Sequence, residues 1–131
     1  MSNLDRSIAF YSDIFGMEVL VLDAFEGEQY QRILRLPGVK GRVALLKGGN
    51  LQLELFEFSQ PKPRASDPQR PVCDHGITHF CIEVDDLNAI YPRLVEAGVL
   101  FHCKPQKFFG AANATYGRDP DGNVFELLDL S

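Results

Sequence analysis

Cysteine is sparse in this sequence, long apolar runs are missing and positive charge is in deficit, and each shortage removes a class of protein. Cys73, Cys81 and Cys103 form an odd, widely spaced set with no CxxC pair. That fits neither a disulfide framework nor a zinc ribbon, so all three are expected to be reduced and structural. No apolar stretch approaches the ~20 residues that span a bilayer, and Met1-Ser2-Asn3-Leu4-Asp5 lacks the charged and apolar blocks of a signal peptide. A cytoplasmic chain with no membrane partner is expected. Lys and Arg number 13 against 18 Asp and Glu, giving a net charge of −5 with no basic stripe. The electrostatic footprint of nucleic-acid binding is therefore absent.

What remains is ordinary globular material. The chain has 131 residues, 45% hydrophobic and 24% charged, which is one domain's worth. A chain of this size buries roughly two-thirds of its unfolded surface without disulfides.

The pattern is stated twice. Glu54-Leu55-Phe56-Glu57 and Glu126-Leu127-Leu128-Asp129 match in chemistry at an offset of 72 residues, each after a Gly-Asn step. Upstream of each lies an amphipathic helical segment ending at glycine: Leu4 to Phe15 before Gly16, and Leu87 to Ala97 before Gly98. Pro92 falls inside the second, where it should kink the helix or shift its start. Strand-like runs follow: Glu18 to Leu22, Arg42 to Leu46 and Leu51 to Phe58, then Val99 to Cys103, Ala114 to Arg118 and Val124 to Leu130. One more, Ile77 to Val84, precedes the second helix. The second half therefore reads βαβββ, and the first reads the same without its opening strand. Ser59 to Asp74, with four prolines, reads as an extended linker. The expected organisation is a first module 1–58, a linker 59–74 and a second module 75–131. Together they form one α+β domain in which paired βαβββ modules make a curved mixed sheet around a central cup.

Strand parity selects the residues that face the cup, because alternate side chains point to opposite faces. Glu54 falls on a face with Phe56 and Phe58, Glu126 on a face with Val124 and Leu128, and His79 opposite the packing residues Phe80, Ile82 and Val84. A carboxylate among apolar side chains must be paired, protonated or metal-bound. Two of them with one imidazole suggest a divalent metal site at Glu54, His79 and Glu126. The alternative makes the two glutamates exposed strand residues and His79 a hydrogen-bonded core histidine; the matched positions in both halves weigh against it. His75 and His79 would lie ~13 Å apart along a strand, too far to share an ion. His102 carries no second signal.

Leu4-Asp5-Arg6-Ser7-Ile8-Ala9-Phe10-Tyr11, His79 leading into Val84-Asp85-Asp86-Leu87, and Asp119-Pro120-Asp121-Gly122-Asn123-Val124-Phe125-Glu126-Leu127 resemble the vicinal oxygen chelate superfamily. Its members include glyoxalase I, methylmalonyl-CoA epimerase, extradiol dioxygenases and fosfomycin or bleomycin resistance proteins. The resemblance covers nearly the whole chain and implies that Glu54, His79 and Glu126 fall on three of four usual ligand positions. The fourth belongs to the first strand of the first module. Stepping back from Leu4 by the eight residues that separate Leu87 from His79 lands before Met1. That strand is expected upstream of this sequence, or its ligand from a dimer partner.

The chemistry implied by the resemblance is chelation of a substrate through neighbouring oxygens on a divalent ion (Zn, Ni, Co, Mn or Fe), with a stabilised enediolate and Glu126, or else Glu54, as the proton-abstracting base. Phe56, Tyr116, Arg118 and Phe108 are candidate substrate contacts. A lactoylglutathione lyase-like lyase or isomerase acting on a small α-oxygenated substrate comes first. An epimerase or extradiol dioxygenase, or a non-catalytic resistance-type binding protein, is the alternative. An open sheet edge points to a homodimer.

Overall fold

The computed structural model describes residues 1–107, 110 and 112–131, and the chain divides into two compact units, Met1–Ser66 and Asp67–Ser131. The fold is α+β, with helices and a separate sheet in each unit.

In the first unit, Asn3 is extended and its side-chain oxygen accepts the Arg6 N–H at 2.9 Å, starting helix α1 (Leu4–Ala9) as an N-cap. The helix runs on into a π-helical turn over Phe10–Ile14. Phe10 and Tyr11 are both buried there, ring centroids 5.1 Å apart and edge to face. Gly16, at φ +67°, releases the chain into β1 (Glu18–Glu26), followed by α2 (Glu28–Leu34), β2 (Lys40–Gly48) and β3 (Leu51–Gln60). The three strands form an antiparallel sheet in the order β1-β2-β3. Leu4, Tyr11, Ala44, Leu46 and Leu55 supply the fully or nearly fully buried core between α1 and this sheet. On β3, Leu51, Leu53 and Leu55 are sheltered while Gln52 and Glu54 are exposed, as the period of two requires.

The second unit contains β4 (Phe80–Glu83), α3 (Leu87–Glu96), β5 (Leu100–Phe101), β6 (Gln106–Lys107), β7 (Asn113–Arg118) and β8 (Val124–Asp129). Its sheet runs β4-β8-β7-β5, with β6 also on β7; β4 lies parallel to β8 and the other pairs are antiparallel. β8 is thus flanked on both edges, and five of its six residues are buried. The turn that feeds it is tied by Asp119, whose carboxylate accepts the N–H of Asp121 at 2.9 Å and of Asn123 at 2.8 Å. Gly122 closes this turn at φ +83°, and a Cβ there would lie 2.4 Å from the Pro68 backbone, so no other residue fits.

Several expectations need correction. The first unit carries a helix, α2, between its first two strands, where the sequence pattern shows only strands. None of its residues is buried, so it has no apolar stripe to betray it; Gly27 and Arg35, both at positive φ, bound it. β4 begins at Phe80, three residues later than expected, and Ile77 is 90% exposed. β5 has only two residues, and β6 was not foreseen. Of the two effects expected of Pro92, a shifted start does not occur: α3 begins at Leu87 and runs through Pro92, where Pro92 and Asn88, the residue whose carbonyl the missing N–H would have paired, are both exposed. The three cysteines are free, as expected, but all are exposed and none is a core residue.

The internal repeat is written in hydrogen bonds as well as in sequence. The Leu4 N–H donates to the Glu57 carboxylate, and the Leu87 N–H donates to the Asp129 carboxylate at 3.0 Å. Asp86 caps α3 through the Ala89 N–H at 3.0 Å, as Asn3 caps α1. In each unit a carboxylate on the last strand therefore holds the first turn of the helix, where the helix dipole also favours negative charge.

The Ser131 hydroxyl (2.6 Å), the Leu87 N–H and the Ser131 N–H hold the Asp129 carboxyl below the usual carboxylate range. A lowered folded-state value stabilises the fold above the unfolded carboxylate pKa of about 3.9 and is lost as pH falls through the folded value. Asp129→Asn is expected to lower the melting temperature at pH 7, with the difference from the parent closing progressively below pH 4. Melting curves at stepped pH check this; a constant difference at every pH would contradict it.

Candidate functional site

Glu126 is the feature around which the second unit's polar residues gather. It sits in the middle of β8, 6% exposed, between buried Phe125 and buried Leu127. A carboxylate in such a position needs partners, and the two neighbouring strands supply them. Its cross-strand neighbours are Cys81 on β4 and Tyr116 on β7. Directly opposite residues share a sheet face, so all three side chains emerge on one side.

His79, the residue immediately before β4, adds an imidazole on that same face. Its Nε2 lies 3.4 Å from Glu126 Oε2 and 3.5 Å from the Tyr116 hydroxyl. The Tyr116 ring meets the His79 ring edge to face at 4.9 Å, and His102 stacks on Tyr116 with rings 15° from parallel and centroids 6.3 Å apart. On its other side, His79 Nδ1 is 2.8 Å from the Thr78 hydroxyl.

Partial desolvation against the sheet, felt even by Cys81 whose side chain stays exposed overall, and then the Glu126 charge raise the titration of both acids beside it. The Cys81 thiol is pushed up to about 11, with Glu83 adding to the effect, and the Tyr116 phenol also moves up. Both therefore keep their protons at neutral pH, so Cys81 is not a ready nucleophile and Tyr116 is a hydrogen-bond donor. Burial, followed by the Arg118 charge, moves His102 down, which favours its neutral imidazole.

Of the residues singled out in the sequence, His79, Tyr116 and Glu126 are brought together. Arg118 follows on β7, but its guanidinium donates to the carbonyls of Pro68 (3.1 Å), Gly122 (3.0 Å) and Arg70 (3.0 Å). It thereby secures the turn before β8 and the middle of the irregular segment that leads to His79. Glu54 and Phe56 belong to the first unit, where Glu54 is exposed on β3 and Phe56 joins a cluster with Phe25 and Phe58 at 5.5 and 5.7 Å. Phe108 lies outside the described residues. Cys81, Thr78 and His102 complete the surroundings of the pair. Parity places Cys81 with His79, whereas His102 is found only through the β5–β7 ladder, which its N–H extends to the Tyr116 carbonyl at 2.8 Å.

Two ligands of one tetrahedral ion, each at ~2.1 Å, sit ~3.4 Å apart, which is the observed His79–Glu126 separation. An imidazole and a carboxylate also form a donor pair suited to Zn, Mn, Fe, Co or Ni. The pair fits half of a cation site. Among the described residues, no group of three or more His, Cys, Asp or Glu side chains is arranged to hold a metal ion, and no helix is long and apolar enough to cross a membrane.

The family model described as Glyoxalase/Bleomycin resistance protein/Dioxygenase superfamily matches residues 1–127, and the chain belongs to that superfamily. The chain is 31% identical to the uncharacterized protein YaeR of Escherichia coli (strain K12), covering 94% of this chain and 84% of that protein. It is 30% identical to the metallothiol transferase FosB of Shouchella clausii (strain KSM-K16), covering 97% of this chain and 73% of FosB. The fold matches the crystal structure of a glyoxalase family protein from Bacillus cereus with a TM-score of 0.87 at 22% identity, covering 98% of this chain and 87% of that one.

An ion pair taken out of water stabilises less than well-packed hydrocarbon of similar volume would. Glu126→Leu combined with His79→Leu is therefore expected to fold with unchanged or higher stability, within about 1 kcal/mol of the parent or above it. Denaturant unfolding measures this, and a loss beyond about 3 kcal/mol would identify the pair as structural instead.

Proposed function

We propose that this chain is a divalent-metal-dependent enzyme acting on a small α-oxygenated substrate, in the manner of a glyoxalase-type lyase or isomerase. The observation that carries this is Glu126: a carboxylate buried in a central strand, 3.4 Å from an imidazole, with two neutral acids on its flanking strands. Purely structural glutamates are rarely placed so.

His79 Nε2 and Glu126 would hold the ion. When bound, the ion supplies Lewis-acid polarisation of a substrate oxygen. Glu126 is the base that removes the proton from the carbon beside that oxygen. Tyr116, neutral and a donor, orients the substrate oxygen, and the proton taken up by Glu126 is returned to the substrate by Glu126 itself. Arg118 steadies the backbone carbonyls next to the site and is a further candidate for substrate contact.

A second reading is favoured by the FosB match, which spans 97% of this chain. In it the same pair serves transfer of a thiol to a small-molecule acceptor. Binding of such a compound without turnover is the non-catalytic version.

Protein loaded in turn with Zn, Ni, Co, Mn or Fe, and offered methylglyoxal with a thiol, is expected to consume the hemithioacetal. Glu126→Ala is expected to lose that activity by at least about a hundredfold, and its bound metal by at least tenfold as read by elemental analysis. Thiol consumption with an epoxide, but not with methylglyoxal, would select the transferase reading. Unchanged metal content in Glu126→Ala and His79→Ala would remove the metal site altogether.

A homodimer is part of the same proposal. β1 is an edge strand, and Val19, Leu20, Val21 and Leu22 are all exposed along it, an edge that needs covering. Sedimentation velocity is expected to give twice the chain mass for the parent and the single-chain mass for Leu20→Lys/Leu22→Lys. A monomeric parent would refute the dimer.

A further inference from the structure

β4 starts at Phe80, which leaves His79 one residue outside any regular element, at the end of the irregular run 61–79. A side chain there is not oriented by a strand ladder. What orients it can be traced bond by bond. Arg118 Nη2 donates to the Arg70 carbonyl at 3.0 Å, and Arg70 Nη2 donates to the Ile77 carbonyl at 3.2 Å. The backbone just before Thr78 is therefore pinned to β7. The ring itself then has one polar contact on its Nδ1 side, the Thr78 hydroxyl at 2.8 Å. On the Nε2 side it faces Glu126 and Tyr116, while the Tyr116 ring blocks rotation edge-on.

We propose that Thr78 is the positioning residue of His79, its hydroxyl holding Nδ1 so that Nε2 is turned to Glu126, an inference that rests on reading this pair as the enzymatic site. A hydroxyl suits the task because it both donates and accepts. When Nε2 lends its lone pair to a cation, Nδ1 carries the ring proton and donates it to Thr78 Oγ1. When Nε2–H faces the Glu126 carboxylate, the Thr78 hydroxyl donates to Nδ1. One group thus serves both tautomers, where a carboxylate would favour only the first. Threonine adds a stiff χ1, so its oxygen is held in place by its own branching. Valine has the same shape and neither hydrogen bond.

The test uses Thr78→Val and Thr78→Ser in the full chain, with zinc titration calorimetry and long-range ¹⁵N NMR of the His79 ring, metal-free and zinc-loaded. Thr78→Val is expected to weaken zinc binding about 10- to 100-fold and to shift the ring-nitrogen pattern, with its unfolding midpoint unchanged. Thr78→Ser should restore both readouts. Zinc affinity and ring shifts in Thr78→Val equal to those of the parent would overturn the proposal. Should the parent and His79→Ala take up zinc equally, it is the metal reading that fails. The metal-free ring shifts then decide for Thr78 alone: altered in Thr78→Val they support its hold on the ring, unaltered they refute it.

Discussion

A charged group in the middle of a buried strand is the constraint on which the second unit turns. β8 needs apolar residues to bury against α3 and the neighbouring strands, and Val124, Phe125 and Leu127 meet that need. Glu126 does not, and its desolvation has to be offset by what surrounds it. The ladder supplies Cys81 on one side and Tyr116 on the other, both held in their neutral, donor-bearing forms, and His79 arrives from just beyond the end of β4. Among the described residues no buried side-chain oxygen or nitrogen lacks a partner. The site and the satisfaction of Glu126 are one arrangement.

That arrangement depends on elements distant from it. Asp119 and Gly122 set the turn that brings β8 back alongside β7, and Gly122 allows the Pro68 backbone to lie against the turn. Arg118 ties the same turn to residues 68 and 70, and Arg70 carries the tether on to Ile77. Asp129 holds the start of α3 against the far end of β8. Gly122 apart, each is a polar residue whose work is done on backbone groups, which is where most side-chain hydrogen bonds go.

Much of this could be read from the residues. The repeat at 72 residues located the paired strands, alternation separated the two faces of β3, and the Asp-Pro-Asp-Gly-Asn turn announced the β7–β8 hairpin. His79, Tyr116 and Glu126 were legible because a titratable residue on a face of apolar neighbours is conspicuous in any strand. Illegible were elements without an apolar face or sufficient length. α2 is solvated all round, and β6 is a two-residue bridge. Thr78 could not be singled out, because a hydroxyl beside a histidine becomes meaningful only when the ring is seen to turn toward it. His102 needed the ladder that sets it over Tyr116.

The parallel pairing of β4 with β8 has a kinetic corollary. Phe80 meets Phe125 only after α3, β5, β6 and β7 have intervened in the chain, whereas β7 and β8 need close only a short turn. Loop-closure entropy favours the hairpin first and the parallel strand later. The imidazole therefore reaches the carboxylate only as the sheet is completed, so a half-folded or nascent chain lacks the His79–Glu126 pair, which comes into being with the finished architecture.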